Sequence, residues 1–105
     1  MNADTPSVGA IVLHADDDVA TLVGPVEAGG AVVTRGAAAG LTLRAAAALG
    51  AGHKLALRHL AAGTDVRKYG EIIGRLTAPV AAGDHVHIHN LKSLRGHDRV
   101  DVSAT

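Results

Sequence analysis

Three histidines alternate with two β-branched residues in His85-Val86-His87-Ile88-His89, and Asn90 follows. In an extended strand, successive side chains point to opposite faces. His85, His87 and His89 then share one face, and Val86 and Ile88 the other. The apolar pair suits a core, so the imidazoles line a wet surface or a cleft. Neutral imidazole ligates divalent metals, and protonated imidazole binds carboxylates. The face is therefore read as a metal or anion site; the alternative is a solvent-facing strand that tolerates histidine. On a straight strand, same-face neighbours stand roughly 6.6 Å apart, and His85 and His89 roughly 13 Å. Only an adjacent pair can then share one ion, and a third ligand has to come from elsewhere.

Two further groups carry candidate chemistry. His53-Lys54 follows a glycine turn at a strand start, where Lys54 either binds a substrate carboxylate as a point charge or sits on a solvated face. Lys68-Tyr69-Gly70 contains the one aromatic residue of the chain. Tyr69 is either a core plug with a satisfied hydroxyl or an acid/base or substrate contact. The run Asp16-Asp17-Asp18 is read as a solvated turn, with a hard-cation site as the alternative. His14, His59 and His97 are isolated and read as structural or exposed. No phosphate-binding Gly-x-x-x-x-Gly-Lys, helical His-Glu-x-x-His or Gly-x-Ser-x-Gly is present.

These residues are set among short strands and glycine turns. Glu27-Ala28-Gly29, Gly50-Ala51-Gly52, Ala61-Ala62-Gly63 and Ala81-Ala82-Gly83 each lead into a strand-like stretch. Glycine permits positive φ in the turn, and β-branched residues favour the strand after it. Val8 to His14, Val19 to Val23, Leu41 to Leu43 and Glu71 to Leu76 add further strand candidates. Ala-rich Arg44 to Leu49 is expected to form at most one helical turn before Gly50. The reading is a single small all-β domain over residues 8–91. A flexible N-terminus covers 1–7 and a polar tail covers 92–105.

Bulk properties narrow the classes. The chain has 105 residues and zero formal net charge, so no pull toward nucleic acid or a membrane surface is expected. It has no cysteine, which removes disulfides, thiolate chemistry and Cys-ligated zinc. No apolar run reaches membrane-spanning length and no signal segment opens the chain, so the cytoplasm is the expected compartment. The apolar fraction is mostly Ala with Val, Leu and Ile, and Phe and Trp are absent. Ala buries little surface. A core this thin points to a subunit of a larger assembly or to a homo-oligomer.

Taken together, Gly52-His53-Lys54-Leu55-Ala56-Leu57, Val66-Arg67-Lys68-Tyr69-Gly70-Glu71-Ile72-Ile73-Gly74 and Ala82-Gly83-Asp84-His85-Val86-His87-Ile88-His89-Asn90-Leu91 resemble the SAF domain of the altronate/galactarate dehydratase family. Leu13-His14-Ala15-Asp16-Asp17-Asp18-Val19-Ala20 is similar to the family's start, with Asp18 where Asn is usual. The resemblance runs from about Ile11 to Leu91. It implies a β-clip fold and a role as the small subunit of a hydro-lyase that is inactive without a large catalytic subunit. The implied reaction dehydrates a sugar acid such as altronate or galactarate by β-elimination; a relative removes sulfite from sulfolactate. The implied cofactor is a divalent metal, Fe2+ or Mn2+, held by this chain or mainly by the large subunit. His53, Lys54, Lys68, Tyr69 and Asn90 are then expected to contact substrate, and His85, His87 and His89 to line the metal site. A non-catalytic sugar-acid-binding or assembly module is the competing expectation, and a stand-alone metal-binding protein a weaker third.

Overall fold

The structure, a computed structural model, describes residues 7–93. The N-terminal residues 1–6, residues 94–105 of the expected tail, and His97 with them, lie outside the described residues.

Nine short strands and no helix make up the described chain. They are β1 (Val8–Val12), β2 (Val19–Leu22), β3 (Ala31–Gly36), β4 (Thr42–Arg44), β5 (Lys54–Ala56), β6 (Asp65–Lys68), β7 (Glu71–Leu76), β8 (His85–Val86) and β9 (Leu91–Ser93). One six-stranded sheet has the order β4-β3-β1-β2-β5-β8, and a three-stranded sheet the order β6-β7-β9. β1 and β3 pair in parallel, and the other ladders are antiparallel.

The four Ala-Gly segments become four copies of one turn. In each, the residue after the glycine donates its amide back to a carbonyl three residues earlier: Gly30 to Glu27, His53 to Gly50, Thr64 to Ala61 and Asp84 to Ala81. Gly29, Gly52, Gly63 and Gly83 all lie between φ 78° and φ 90°. Positive φ at the third position, closed by that bond, is the signature of a type II turn, which demands glycine there. The copies also pair with one another. Val26 bridges Leu49, and Leu60 bridges Val80.

Two small cores result. One gathers Ala10, Val12, Ala20, Leu22, Val32, Leu43, Leu55 and Leu57 with their neighbours. The other gathers Val19, Ala56, Leu60, Val66, Leu76, Val80 and Val86. β5 feeds both, Leu55 to the first and Ala56 to the second.

Arg44 to Leu49, allowed at most one helical turn, forms none among the described residues, and two expectations are corrected below. Arg44 closes β4, the Ala45 amide donates to the Gly30 carbonyl, and Leu49 pairs with Val26. A segment this short has no helix stability of its own, so pairing with the first turn unit decides its shape. Lys92 and Ser93, assigned to the tail, instead pair with Arg75 and Gly74 in β9. The Asp16-Asp17-Asp18 turn is solvated only at Asp16. Asp17 is 1% exposed, and its carboxylate accepts the amides of His14 and Gly70. Asp18 accepts from the Arg67 amide and from the Arg58 guanidinium. These carboxylates are committed to the protein and join the β1–β2 turn to the β6–β7 hairpin.

Candidate functional site: a histidine cluster beside a lysine-lined cavity

β8 ends at Val86, and the chain turns through His87–Asn90 instead of extending to His89. Asn90 causes this. Its Oδ1 accepts the His87 amide at 2.9 Å, its Nδ2 donates to the His85 carbonyl at 2.8 Å, and its own amide donates to the His87 carbonyl at 3.0 Å. A short side chain that binds nearby backbone offers the chain an alternative to the sheet ladder. The expected strand face is therefore corrected. Val86 is fully buried, but Ile88 is 83% exposed and packs into no core.

The turn draws the imidazoles together. The rings of His85 and His87 stack with centroids 5.2 Å apart, and His89 stands 5.3 Å from His85. A further ring arrives from β5, whose pairing sets Leu55 opposite His85 and Lys54 opposite Val86. That register carries His53, just ahead of β5, to the cluster. His53 Nδ1 lies 3.0 Å from His85 Nε2, and the His53 ring centroid is 5.6 Å from that of His87. One ligand atom from each of His53, His85 and His87 falls within 4.8 Å of the others. His89 is exposed and stands outside this group. Burial first, then the neighbouring His53, His87, His89 and Lys54, hold His85 below the ordinary imidazole value of 6.5. Both influences disfavour the charged ring and favour the neutral imidazole.

His87 also belongs to a second feature. A cavity of about 280 Å³ is lined by Lys54, Lys68, Ile73, His87, Ile88, Leu91 and Ser93. Two lysines and a histidine line it, with no lining carboxylate. Burial, and then Lys68, lower the Lys54 ammonium from its usual 10.5. Half-buried lysines that repel each other mark a place where an anion relieves both. A larger cavity of about 360 Å³ runs along Val8 and Pro25 to Gly30, but Glu27 is its one ionisable lining residue.

Lys68 is placed by the β6–β7 hairpin. At its tip Tyr69 and Gly70 both have positive φ, 56° and 82°, the pattern of a type I′ turn. The left-handed region is unfavourable for tyrosine, by about 1–2 kcal/mol, and the Asp17–Gly70 bond helps hold the tip there. Further along, Ile73 has no partner in the ladder, because Val66 pairs with Gly74 and Arg67 with Ile72. Such a bulge re-aims a side chain, and Ile73 lines the cavity.

Among the residues expected to contact substrate, His53 joins the imidazole cluster, and Lys54 and Lys68 line the cavity. Tyr69 is no core plug. It is 42% exposed with Lys68 Nζ 4.8 Å from its ring centroid, and it does not line the cavity. Asn90 is 8% exposed and shapes the histidine turn through both ends of its side chain. Asp17 is a positioning residue that the sequence does not single out, since nothing in an acidic triplet says which carboxylate is buried. For His53 as a neighbour of His85 the sequence shows only that both follow copies of the same glycine turn; the β5–β8 pairing makes them neighbours.

Fold and site define a small all-β ligand-site domain, a curled set of glycine-turn strands with a cleft of histidines and lysines. The chain belongs to the family of the altronate/galactarate dehydratase SAF domain, whose profile matches residues 8–94. It is 50% identical over 44 residues to the (2R)-sulfolactate sulfo-lyase subunit alpha of Chromohalobacter salexigens, covering 42% of this chain and 47% of that protein. It is 47% identical over 53 residues to the protein of the same name from Paracoccus pantotrophus, covering 50% of this chain and 79% of that one. It is also 41% identical over 83 residues to the altronate dehydratase of Escherichia coli, covering 79% of this chain but 16% of that enzyme. Its family is thus lyase-associated, and two of these relatives are named as subunits.

Proposed function

We propose that this chain is the small subunit of a cytoplasmic lyase that eliminates water or sulfite from a hydroxy or sulfo acid, together with a large catalytic subunit. The observation that carries this reading is the convergence of Lys54, Lys68 and His87 on one cavity, beside a cluster of imidazoles, in a chain of this family. β-Elimination moves the proton α to a carboxylate to a base and expels hydroxide, which leaves as water, or sulfite from the neighbouring carbon. Negative charge builds on the carboxylate as the proton leaves, and pre-placed cationic groups stabilise that charge at no reorganisation cost. Lys54 and Lys68 would hold the carboxylate in the cavity as point charges, with Ile73 and Leu91 as its partly buried apolar wall.

A divalent ion, Fe2+ or Mn2+, belongs to this reading. The donor set fits one, because His53, His85 and His87 offer three nitrogens close together and imidazole suits first-row transition metals. Bound there, the ion would act as a Lewis acid on a carboxylate oxygen. The base and the acid for the leaving group are assigned to the large subunit. The sulfo-lyase form is favoured by the two relatives named as separate subunits, and the sugar-acid form by the longer match to altronate dehydratase.

The test is co-purification of this chain from its native source, mass spectrometry of what comes with it, and lyase assays on sulfolactate and altronate with added Fe2+ or Mn2+. A large lyase subunit should be recovered, with turnover appearing only in the mixture. His87→Ala and Lys68→Ala should each lower kcat/KM by about 100-fold, the scale of losing one charge-stabilising group. Unchanged kinetics in both variants would sink the assignment.

A further inference from the structure

We infer that this chain holds the metal centre by itself, through the imidazoles of His53, His85 and His87, with His89 left out. Two nitrogens bound to one ion at about 2.1 Å lie about 3.0–3.4 Å apart, from octahedral to tetrahedral angles. His53 Nδ1 and His85 Nε2 are already 3.0 Å apart. One nitrogen from each of His53, His85 and His87 lies within 4.8 Å of the other two, and a modest rotation of the His87 ring closes the set, because His87 lies in a turn and is only partly buried. His89 contacts His85 alone among the cluster rings and stands on the exposed side of the turn.

The backbone around the three ligands is firmly set. His53 follows a type II turn, His85 sits in the β5–β8 ladder, and Asn90 fixes the amide of His87 and the carbonyl of His85. Supports of this kind orient metal ligands and tune their affinity. The placement also says where a ligand would bind. His87 is shared between the triad and the cavity of Lys54 and Lys68. A three-imidazole ion keeps at least one position open, and one anion can meet both that position and the lysines. A lysine near a divalent ion disfavours metal binding until such an anion arrives, so carboxylate and ion should bind cooperatively.

The ion's part in turnover rests on the lyase reading; the site itself does not. The test therefore uses the purified full chain with Zn2+ as the probe and neither partner nor substrate. Calorimetry should give one Zn2+ per chain at micromolar affinity or better. Long-range nitrogen–proton spectra of the imidazoles should show coordination shifts for three rings and none for His89. His53→Ala should weaken binding by about 100-fold and His89→Ala by less than about 3-fold. Because His53→Ala could disturb the fold, His53→Gln and far-ultraviolet circular dichroism accompany it, and the ring spectra of the unmodified chain need no variant. Absence of one-to-one binding, a His53 variant that binds like the parent, or coordination shifts on His89 in place of His53 overturns the inference. None of these outcomes touches the lyase assay, which fails or succeeds separately.

Discussion

At the scale of single residues, Lys54 shows function set against stability. Its ammonium is half-buried beside Lys68, and both conditions disfavour the charge. Lys54→Met keeps the aliphatic stem and removes the charge, so it should raise Tm by about 2–5 °C at pH 7 while abolishing carboxylate binding. The sign of the pH dependence follows from linkage. The folded value lies below 10.5, so between the two values the unfolded chain keeps a proton that the folded chain has released. The parent protein therefore gains stability as pH rises through that window. The Tm advantage of Lys54→Met should shrink toward pH 10.5; scanning calorimetry from pH 7 to 10.5 reads it, and a constant advantage contradicts the assignment. Asn90 makes a related point without touching the cavity. Its family-implied place was at the substrate, whereas its contacts here fix the histidine turn.

At the scale of elements, the repeated glycine turns organise the molecule, and they are not equivalent. Gly63 has φ +88° and open space where a Cβ would go, so Gly63→Ala should cost only the left-handed strain, about 1–2 kcal/mol. Gly83 has φ +90°, and a Cβ there would run into the Arg44 carbonyl. Gly83→Ala must move the backbone that leads into β8 and should cost at least about 3 kcal/mol, beyond the range of ordinary single substitutions. Urea midpoints of the two variants check the difference, and equal losses would show that the close approach to Arg44 does not matter. The β6–β7 hairpin obeys another rule. Its tip uses Tyr69 where a type I′ turn favours asparagine or glycine, and the buried Asp17 carboxylate fastens it from a different turn.

At the scale of the whole molecule, two thin cores meet at β5. Leu55 is fully buried in the first, and the next residue, Ala56, is fully buried in the second. Leu55→Ala should cost about 2–5 kcal/mol, a large share of what a domain of this size has. The variant is expected to be largely unfolded at 37 °C, as judged by the dispersion of its amide proton spectrum. A native-like spectrum at that temperature would mean that the core is better filled than these residues suggest. Such a core is consistent with a protein that works in an assembly, the setting proposed above.

The sequence by itself determined the all-β class and the four turns, because each Ala-Gly step encodes its turn locally and, in three of the four, a β-branched residue favours the strand that follows. Glu71–Leu76 was legible as a strand to the residue. The motifs Gly52-His53-Lys54, Lys68-Tyr69-Gly70 and His85 to Asn90 also marked the family and the stretch of chain where chemistry would lie. What alternation could not reveal was the end of β8 at Val86, since that depends on Asn90 folding back on two backbone groups. Nor could it reveal that His53, thirty-two positions before His85, arrives as its neighbour. The β5–β8 register places it there, and register is a property of the paired strands. The burial of Asp17 and the meeting of Lys54 with Lys68 were likewise decided in three dimensions, where separate turns converge and the local identity of a residue no longer says what it will face.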